Sequence, residues 1–365
     1  MSAPLLVGLL RDTTVSAPGA AEGPDVEPVL RLALDDARAT GRLDRDVEIV
    51  RIQCVGLPRG SAFAVEQAYA ELAARGVLLV VGPAIGDNAL VATPLAEAAR
   101  IPTINWSGAG HARGEWMFHL QVGSHEDEPV VLARHIAATG AARVAVVYDR
   151  SPIGRRYSAF FETEAELLGL DLCARRSVAP VADDSTDEVR ALRDAAPDAL
   201  VYLGLGLSGR AVGRARSALG WDVPAFTCAA GMWGHTPGVA SDIDGWTYVD
   251  VYSDTNTVLG AVRERLGGVF AHGPAAAYGW DLGRLAAEGL ARAPELTRGG
   301  VRDGLEQVKW LPAAEGHEGT QLSYGTQDRG ALHGRYLVMR RWERGESIEV
   351  RDGRRDGRAA GRATG

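Results

Sequence analysis

The chain has 365 residues, of which 46% are hydrophobic and 24% are charged, and its formal net charge is −8. This composition is typical of a globular protein and excludes a fibrous, disordered or membrane-spanning chain. The length suits two lobes better than a single core. The acidic balance argues against nucleic acid as a partner.

The three cysteines, Cys54, Cys173 and Cys228, are far apart and lie in or beside apolar segments. Their number and spacing favour buried free thiols, with one disulfide as the alternative, and lack the CxxC pattern of a metal site. The amino terminus has no basic region, and its apolar run over residues 4–10 is too short for a signal sequence. We therefore expect a cytoplasmic protein as encoded, or a periplasmic or cell-surface one if the true start lies upstream.

Strand-like and helix-like segments alternate through the first 110 residues. Residues 77–81 form an unbroken, β-branched apolar run that Gly82 and Pro83 end, as in a strand buried on both faces. Asp87 and Asn88 are predicted at the N-cap of the helix that follows. The other predicted elements here are strands at 5–10, 47–54 and 101–104 and helices at 26–39 and 61–75.

A second alternating series begins after an extended segment at 116–122, and it predicts another α/β lobe. Its predicted strands lie at 143–148, 170–178, 199–203 and 223–228, and its helices at 126–139, 155–168, 185–195 and 208–219. After an extended run at 245–252, three further helices are expected at 258–270, 275–293 and 299–308, followed by a strand pair within 332–342. Helices without new strands must cover an existing sheet, and the first lobe has room for them.

Four segments in this order resemble the type I periplasmic binding proteins, in the branched-chain amino-acid branch of the ABC-transporter solute receptors. They are GVLLVVGPAIGDNALVATPLAEAARIPTI from Gly76, ARVAVVYDRSPIG ending at Gly154, DALVYLGLGLSGRAVGRARSALG from Asp198, and WDLGRLAAEGL from Trp280. The resemblance implies an α/β fold with two doubly wound parallel-sheet lobes joined by three crossovers, here near Leu120, Tyr252 and Asp328. It also implies hinge closure around a ligand.

The same resemblance implies binding without catalysis and without a cofactor or metal. The expected lobes are 1–119 plus 253–327 and 120–252 plus 328–350, with a disordered tail at 351–365. The expected partners are a small-molecule ligand and an ABC permease, with no insertion into the membrane.

The chain departs from the family at the positions that hold a free α-amino acid. The resemblance implies a loop Ser, a Thr, two cleft Tyr residues and an acid for this purpose. The matching positions here are occupied by residues without a polar side-chain group, namely Gly86, Ala109, Ile153, Leu205 and Ala230. A buried ammonium without a partner is costly, so the ligand is expected to be a small apolar or aromatic carboxylate or amide, or an amino acid if Asp87 or Asp281 replaces the lost acid. The expected ligand-binding residues are Gly86, Asp87, Asn88, Ser107, Gly108, Ala109, Ile153, Leu205, Trp233, Tyr252 and Asp281.

Two other functions remain open from the sequence. Residues 204–209 match GxGxxG between a strand and a helix, the context of a dinucleotide site, and so allow an NAD(P)-dependent Rossmann oxidoreductase. However, Asp222 precedes the next strand and cannot reach a ribose, so close glycine packing is the better interpretation. A cytoplasmic ligand sensor of the amide-sensing kind is the second alternative. The run from His125 to Glu128 is interpreted as a helix start after Ser124, not as a metal cluster.

Overall fold

The computed structural model describes residues 3–13, 25–232 and 242–350, which form two α/β lobes, each built on a mainly parallel sheet. The expected site residue Trp233 and the expected tail at 351–365 lie outside the described residues. The helices are α1 (Glu27–Ala39), α2 (Ala62–Ala74), α3 (Gly86–Ala99), α4 (Asp127–Ala138), α5 (Pro152–Leu167), α6 (Thr186–Arg193), α7 (Gly209–Ala218), α8 (Thr257–Leu266), α9 (Ala275–Ala291) and α10 (Arg298–Glu306).

The first sheet is entirely parallel and has the strand order β2-β1-β3-β4-β5. Its strands are β1 (Leu5–Thr13), β2 (Val47–Val55), β3 (Leu79–Val81), β4 (Thr103–Asn105) and β5 (Met117–His119). β3, β4 and β5 are buried along their whole length. The apolar run that predicted a strand covered on both faces is therefore confirmed.

The second sheet repeats that strand order and adds two antiparallel strands at one edge. Its strands are β6 (Arg143–Asp149), β7 (Asp171–Val178), β8 (Ala199–Leu203), β9 (Ala225–Thr227), β10 (Thr247–Asp250), β14 (Val338–Glu343) and β15 (Glu346–Glu349). They are ordered β15-β14-β10-β9-β8-β6-β7. Because β7-β6-β8-β9-β10 matches β2-β1-β3-β4-β5, loops in equivalent places of the two lobes can be compared directly.

The late helices pack on the first lobe, as expected. Leu282 and Leu285 of α9 share one apolar core with Leu5, Val7 and Leu9 of β1. A small three-stranded sheet was not predicted from the sequence. It consists of β11 (Leu311–Pro312), β12 (Gln321–Leu322) and β13 (Leu332–His333), whose two-residue strands are too short to leave a periodic pattern.

The chain passes between the two sheets after β5, after β10 and before β14. The connection between β11 and β12 lies against the second passage, since Gly316 donates its N–H to the Val251 carbonyl at 2.6 Å and pairs with Tyr252. These passages fit a hinge between two lobes. We propose 1–119 plus 253–327 and 120–252 plus 328–350 as the lobe boundaries.

One local prediction is wrong. Asp87 and Asn88 are not at the N-cap of α3, because the helix begins at Gly86 and its N-cap is Ile85. Of the three free cysteines, Cys54 and Cys228 are buried as expected, and Cys173 is half-buried. Among the described residues, no helix is both long enough and apolar enough to span a membrane.

Glycine at position 283 allows α9 to approach α1 closely. A Cβ there would lie 2.6 Å from the Ala33 Cβ and 2.8 Å from the Leu30 carbonyl oxygen. We expect Gly283→Ala to lower the free energy of unfolding by about 1–3 kcal/mol, because the added carbon overpacks the contact. Gly260→Ala is the matched control, since nothing lies within 4 Å of its Cβ position inside α8.

Urea denaturation of both variants measures this difference. The control should gain about 0.5–1 kcal/mol from the higher helix propensity of alanine. Equal stabilisation by both substitutions would contradict the close approach of α9 to α1.

Candidate functional site

A buried aspartate near the end of β1 organises the ligand-side loop of the first lobe. Asp12, near the end of β1, accepts hydrogen bonds from the N–H groups of Ala84 at 2.7 Å and Ile85 at 2.9 Å. It also accepts one from the Asn88 side-chain amide at 2.8 Å. Burial raises the pKa of Asp12, while these donors oppose the rise. The carboxylate thus caps the start of α3 from a distant part of the sequence, in place of a residue next to the helix.

Asn88 is committed to this framework and does not line the cavity described below. Its oxygen accepts the Leu57 N–H at 2.8 Å while its amide bonds Asp12, and its side chain is fully buried. The expectation that Asn88 contacts ligand therefore has no support in the geometry. Its role is to tie the loop after β2 to the start of α3.

An equivalent aspartate holds the corresponding loop in the second lobe. Asp149, at the end of β6, accepts from the Leu205 N–H at 2.8 Å and from the Ser151 N–H at 3.0 Å. Gly206 has φ +94° and donates its N–H to the Tyr202 hydroxyl at 3.3 Å. A Cβ on Gly206 would lie 2.6 Å from the Ala230 carbonyl oxygen.

The glycine loop at residues 204–209 therefore supports close packing better than pyrophosphate binding. Two N–H groups that a dinucleotide would need, those of Leu205 and Gly206, are donated within the protein. Gly209 faces the Tyr202 ring, because its Cβ position is 3.1 Å from that ring. The loop also follows β8, which is not the first strand of its sheet.

A cavity of about 160 Å³ lies between the two lobes, where α3 and α5 begin. Its wall combines a few charged groups with apolar surface, an arrangement typical of small-molecule sites. The lining residues are Asp87, Leu90, Ala109, His111, His125, Pro152, Ile153 and Arg156. Ile85, from the first lobe, packs in the same apolar cluster as Ile153 and Leu205, so the lobes are closed on each other here.

His125 is a site residue that the sequence did not reveal. Its ring lies against Gly86 and Gly108, since a Cβ on either would approach a ring atom to 2.8 Å. The ring also packs edge-on against Tyr157, with centroids 4.9 Å apart. Burial lowers the pKa of His125 to about 3, with the Arg156 charge adding to the effect. The imidazole is therefore neutral at physiological pH.

The helix start that the sequence predicted around His125 is nevertheless present. The Ser124 hydroxyl accepts the Asp127 N–H at 2.9 Å, and Glu128 accepts the Ser124 N–H at 2.6 Å. This reciprocal pair satisfies backbone groups at the start of α4. It also fixes His125 between the lobes, and only the small residues Gly86 and Gly108 could have indicated its contact.

Asp87 places a carboxyl group in the cavity wall. It lies in the first turn of α3 and is 7% exposed. Burial raises the pKa of Asp87 to about 6, and the nearby Asp149 charge contributes. At neutral pH this carboxylate can therefore accept hydrogen bonds from a ligand.

A polar group joins the lobes at the rim of the cavity. Arg156 of α5 donates through Nε to Glu126 at 2.8 Å and hydrogen-bonds His111, which belongs to the loop after β4. Because His111 and Arg156 come from different lobes, this contact forms only when the lobes are closed. It stabilises the closed arrangement around the cavity.

The structure separates the other expected site residues into two groups. Ala109, Ile153 and Asp87 line the cavity, while Gly86 and Gly108 hold His125.

The remaining expected residues serve other contacts. Ser107 is buried, donates to Asn105 at 2.8 Å and accepts the Ala109 N–H at 3.2 Å, so its hydroxyl shapes its own loop. Tyr252 is buried beneath the Arg340 guanidinium, 3.8 Å from its ring centroid. Asp281 is fully buried and caps the N–H groups of Ala314 and Glu315, each at 2.9 Å. Of the two acids considered as replacements, only Asp87 faces the cavity.

The paired sheets, the interlobe cavity and the hinge passages define a two-lobed binding protein of the clamshell type. The sequence matches the periplasmic binding protein family over residues 5–342, and the chain belongs to that family. It is accordingly a solute-binding protein. No curated protein sequence gives a significant match.

Solved structures of the same fold cover nearly the whole chain. A leucine-binding protein from Thermotoga maritima has a TM-score of 0.75 and 15% identity, with 95% of this chain and 98% of that chain covered. An ABC-transporter solute-binding protein from R. palustris, in complex with 4-hydroxybenzoate, has a TM-score of 0.77 and 15% identity, with 95% and 96% covered. An ABC-transporter substrate-binding protein from Desulfitobacterium hafniense, in complex with Leu, has a TM-score of 0.75 and 17% identity, with 95% and 100% covered.

The raised pKa of Asp87 predicts a pH-dependent stability. Between pH 4 and pH 6 the folded state holds the Asp87 proton more tightly than the unfolded state, so the free energy of unfolding falls as pH rises through this window. Asp87→Asn removes this loss of stability, because an amide does not ionise in this pH range. We expect the variant to be more stable than the parent by up to about 3 kcal/mol at pH 8 and nearly equal to it at pH 4.

Urea denaturation without ligand at the two pH values tests this expectation. Asp222→Asn, at an exposed side chain, controls for removal of one negative charge and should change stability by less than about 0.5 kcal/mol. If Asp87→Asn has the same effect at pH 4 and pH 8, the carboxyl is not in the desolvated position described.

Proposed function

We propose that the protein binds a small apolar or aromatic carboxylate, an amide or an amino acid between its lobes, as the solute-binding component of a branched-chain-amino-acid-type ABC transporter. The observation that carries this proposal is the cavity of about 160 Å³ walled by both lobes. Proteins of the same fold in complex with Leu and with 4-hydroxybenzoate support a ligand of this size.

The wall of the cavity favours an apolar ligand with a few directed polar groups. Burying about 300 Å² of apolar surface stabilises a complex by roughly 7 kcal/mol, and association costs remove several kcal/mol of that. Leu90, Ala109, Pro152 and Ile153 supply apolar surface. Hydrogen bonds must supply the remaining affinity and the orientation of the ligand.

Two kinds of polar group are available for those bonds. The N-terminal ends of α3 and α5 favour a carboxylate or carbonyl oxygen, because helix N-termini carry partial positive charge. Asp87 and the neutral His125 can accept hydrogen bonds from N–H groups. An amide can bind the helix ends through its oxygen and the acceptors through its N–H groups. An amino acid can bind in the same way, with Asp87 taking the place of the acid that the family uses for the ammonium.

The role in transport extends this proposal. Family membership favours a location outside the cytoplasm and delivery of the ligand to an ABC permease, with no chemical step on the ligand. A cytoplasmic amide sensor on the same fold is the alternative. The discriminating finding would be the native amino terminus, determined by mass spectrometry.

The alternative function, binding of a dinucleotide cofactor, is tested by a separate experiment. Because the N–H groups of Leu205 and Gly206 already have acceptors, calorimetric titration with NAD(H) or NADP(H) should give no saturable micromolar binding. Saturable binding in that range would overturn the solute-binding proposal in favour of a Rossmann oxidoreductase.

Thermal-shift and calorimetric screening tests the ligand class. We expect benzoate-like acids and short amides to stabilise the protein, and Ile153→Glu to weaken benzoate binding at least tenfold more than benzamide binding. The new carboxylate would lie in the cavity wall and repel an anionic ligand.

Leu167→Glu, at an exposed position of the same helix, is the matched control and should leave both affinities unchanged. If leucine, isoleucine, valine and phenylalanine stabilise the protein while all amine-free compounds fail, the ligand is an amino acid held through Asp87. If none of these compounds binds, the proposed ligand class is wrong.

A further inference from the structure

The described wall of the interlobe cavity contains one arginine, Arg156 of α5, and no lysine. Arg156 follows Pro152 by four residues and Ile153 by three, and all three line the cavity, so they share one face of the helix. This face turns toward the first lobe, because Arg156 contacts His111 in the loop after β4. The guanidinium therefore lies in the cleft and not on the outer surface of the second lobe.

Other contacts hold the Arg156 side chain in place and leave part of its hydrogen-bonding capacity free. Nε donates to Glu126 at 2.8 Å, and Nη2 lies 2.7 Å from the same carboxylate. The guanidinium carbon lies 5.4 Å from the centroid of the Phe160 ring, one turn further along α5. Among the described residues, none accepts a hydrogen bond from Nη1. Since a guanidinium has five N–H groups, it can bind a second carboxylate while Glu126 keeps the first.

The cavity wall also contains Asp87, but Asp87 and Arg156 are not paired with each other. Within the described residues, the ion pair of Arg156 is with Glu126, and Asp87 takes part in none. Burial and the Asp149 charge raise the pKa of Asp87 to about 6, whereas a guanidinium in contact would lower it. The cavity therefore presents a positive group and a negative group at separate places, and each is available to a ligand.

The charge of Arg156 acts inside the cavity and not only at its rim. Burial lowers the pKa of His125 to about 3, and the Arg156 charge is the next largest cause. His125 lines the same cavity from its buried side, with its ring against Gly86 and Gly108. The N-terminal end of α5 adds partial positive charge to the same wall. An anionic group of a ligand is therefore favoured on the side of the cavity that the second lobe forms.

Resting on the proposed function, we propose that Arg156 is a specificity-determining residue that binds the carboxylate of the ligand, so that the ligand is an acid and not a neutral amide. Nη1 donates to the ligand carboxylate while Nε remains bonded to Glu126. The apolar body of the ligand lies against Leu90 and Ile153, and any N–H group that it carries faces Asp87.

Benzoate and benzamide test this assignment, because they have nearly the same shape and differ in the charge of one group. Calorimetry on the whole protein at neutral pH should show benzoate binding at least about tenfold more tightly than benzamide. Arg156→Gln removes the positive charge and should reduce this preference to within about twofold, mainly by weakening benzoate binding. Arg155→Gln is the matched control, since it removes the same charge from an exposed neighbour and should retain the preference.

Arg156 also joins the lobes through His111, and a further variant separates that role from ligand binding. His111→Ala removes the contact and leaves the guanidinium, so it should weaken both probes by a similar factor and keep the preference for benzoate. If Arg156→Gln weakens benzoate and benzamide by the same factor, Arg156 only holds the lobes together and the inference is wrong. If His111→Ala abolishes the preference while Arg156→Gln keeps it, the carboxylate binds at His111 and the assignment to Arg156 is overturned.

The unmodified protein provides an independent check. If it binds benzamide as tightly as benzoate, the inference is wrong although the proposed function stands. If amino acids bind and both probes fail, leucine and leucinamide replace benzoate and benzamide in the same comparison, with the same expected preferences.

Failure of the proposed function gives a different result. In that case neither the two probes nor the amino acids bind the parent protein, and the inference falls with the proposed function. The Arg156 side chain is 31% exposed, so we expect its variant to fold. Circular dichroism and urea denaturation of each variant confirm this before affinities are compared.

Discussion

The ligand-side loops of both lobes depend on one kind of interaction, in which a buried aspartate at the end of β1 or β6 accepts backbone N–H groups from a neighbouring loop. Asp12 does this for the start of α3, and Asp149 does it for the loop after β8. Burying a carboxylate is costly unless it is fully hydrogen-bonded, so each loop is held in the position that satisfies its aspartate. The rigid carboxyl ends of two parallel sheets are thereby converted into two facing walls of a binding cleft.

The facing walls place both positive and negative charge at the cavity. α3 and α5 both begin at the cavity, so two positive helix ends point toward the same small volume. Asp87 supplies one negative charge there, and His125 supplies none because burial keeps it neutral. A ligand oxygen at the helix ends and a ligand N–H at Asp87 are the complementary groups. Ala109 and Ile153 carry no polar side-chain group, so in the proposed complex the helix ends and Asp87 orient the ligand.

The fold was predictable from the sequence because each βα unit carries its own periodic signal. β8 was predicted at its observed bounds, and the ends of most other elements differ by one or two residues. The start of α3 was misplaced because its cap is Asp12, more than seventy residues earlier, and no local pattern reports so distant a hydrogen bond.

The site was less predictable for the same physical reason. Ala109, Ile153 and Asp87, which were expected at the site, line the cavity, whereas Asn88 does not, because it bonds Leu57 on another loop. His125 was missed because its ring packs against two glycines, Gly86 and Gly108, that are not its neighbours in sequence.

The distribution of acids shows how a binding fold can change ligand without changing its framework. The positions that resemble the family's polar ligand-binding residues carry no polar side-chain group, yet a carboxyl group remains at Asp87 in the cavity wall. Asp12 and Asp149 cannot take part, because their oxygens are engaged by backbone donors. The proposed ligand specificity therefore rests on Asp87, an acid that is not needed to hold a loop, and it is argued from the site and not from the fold.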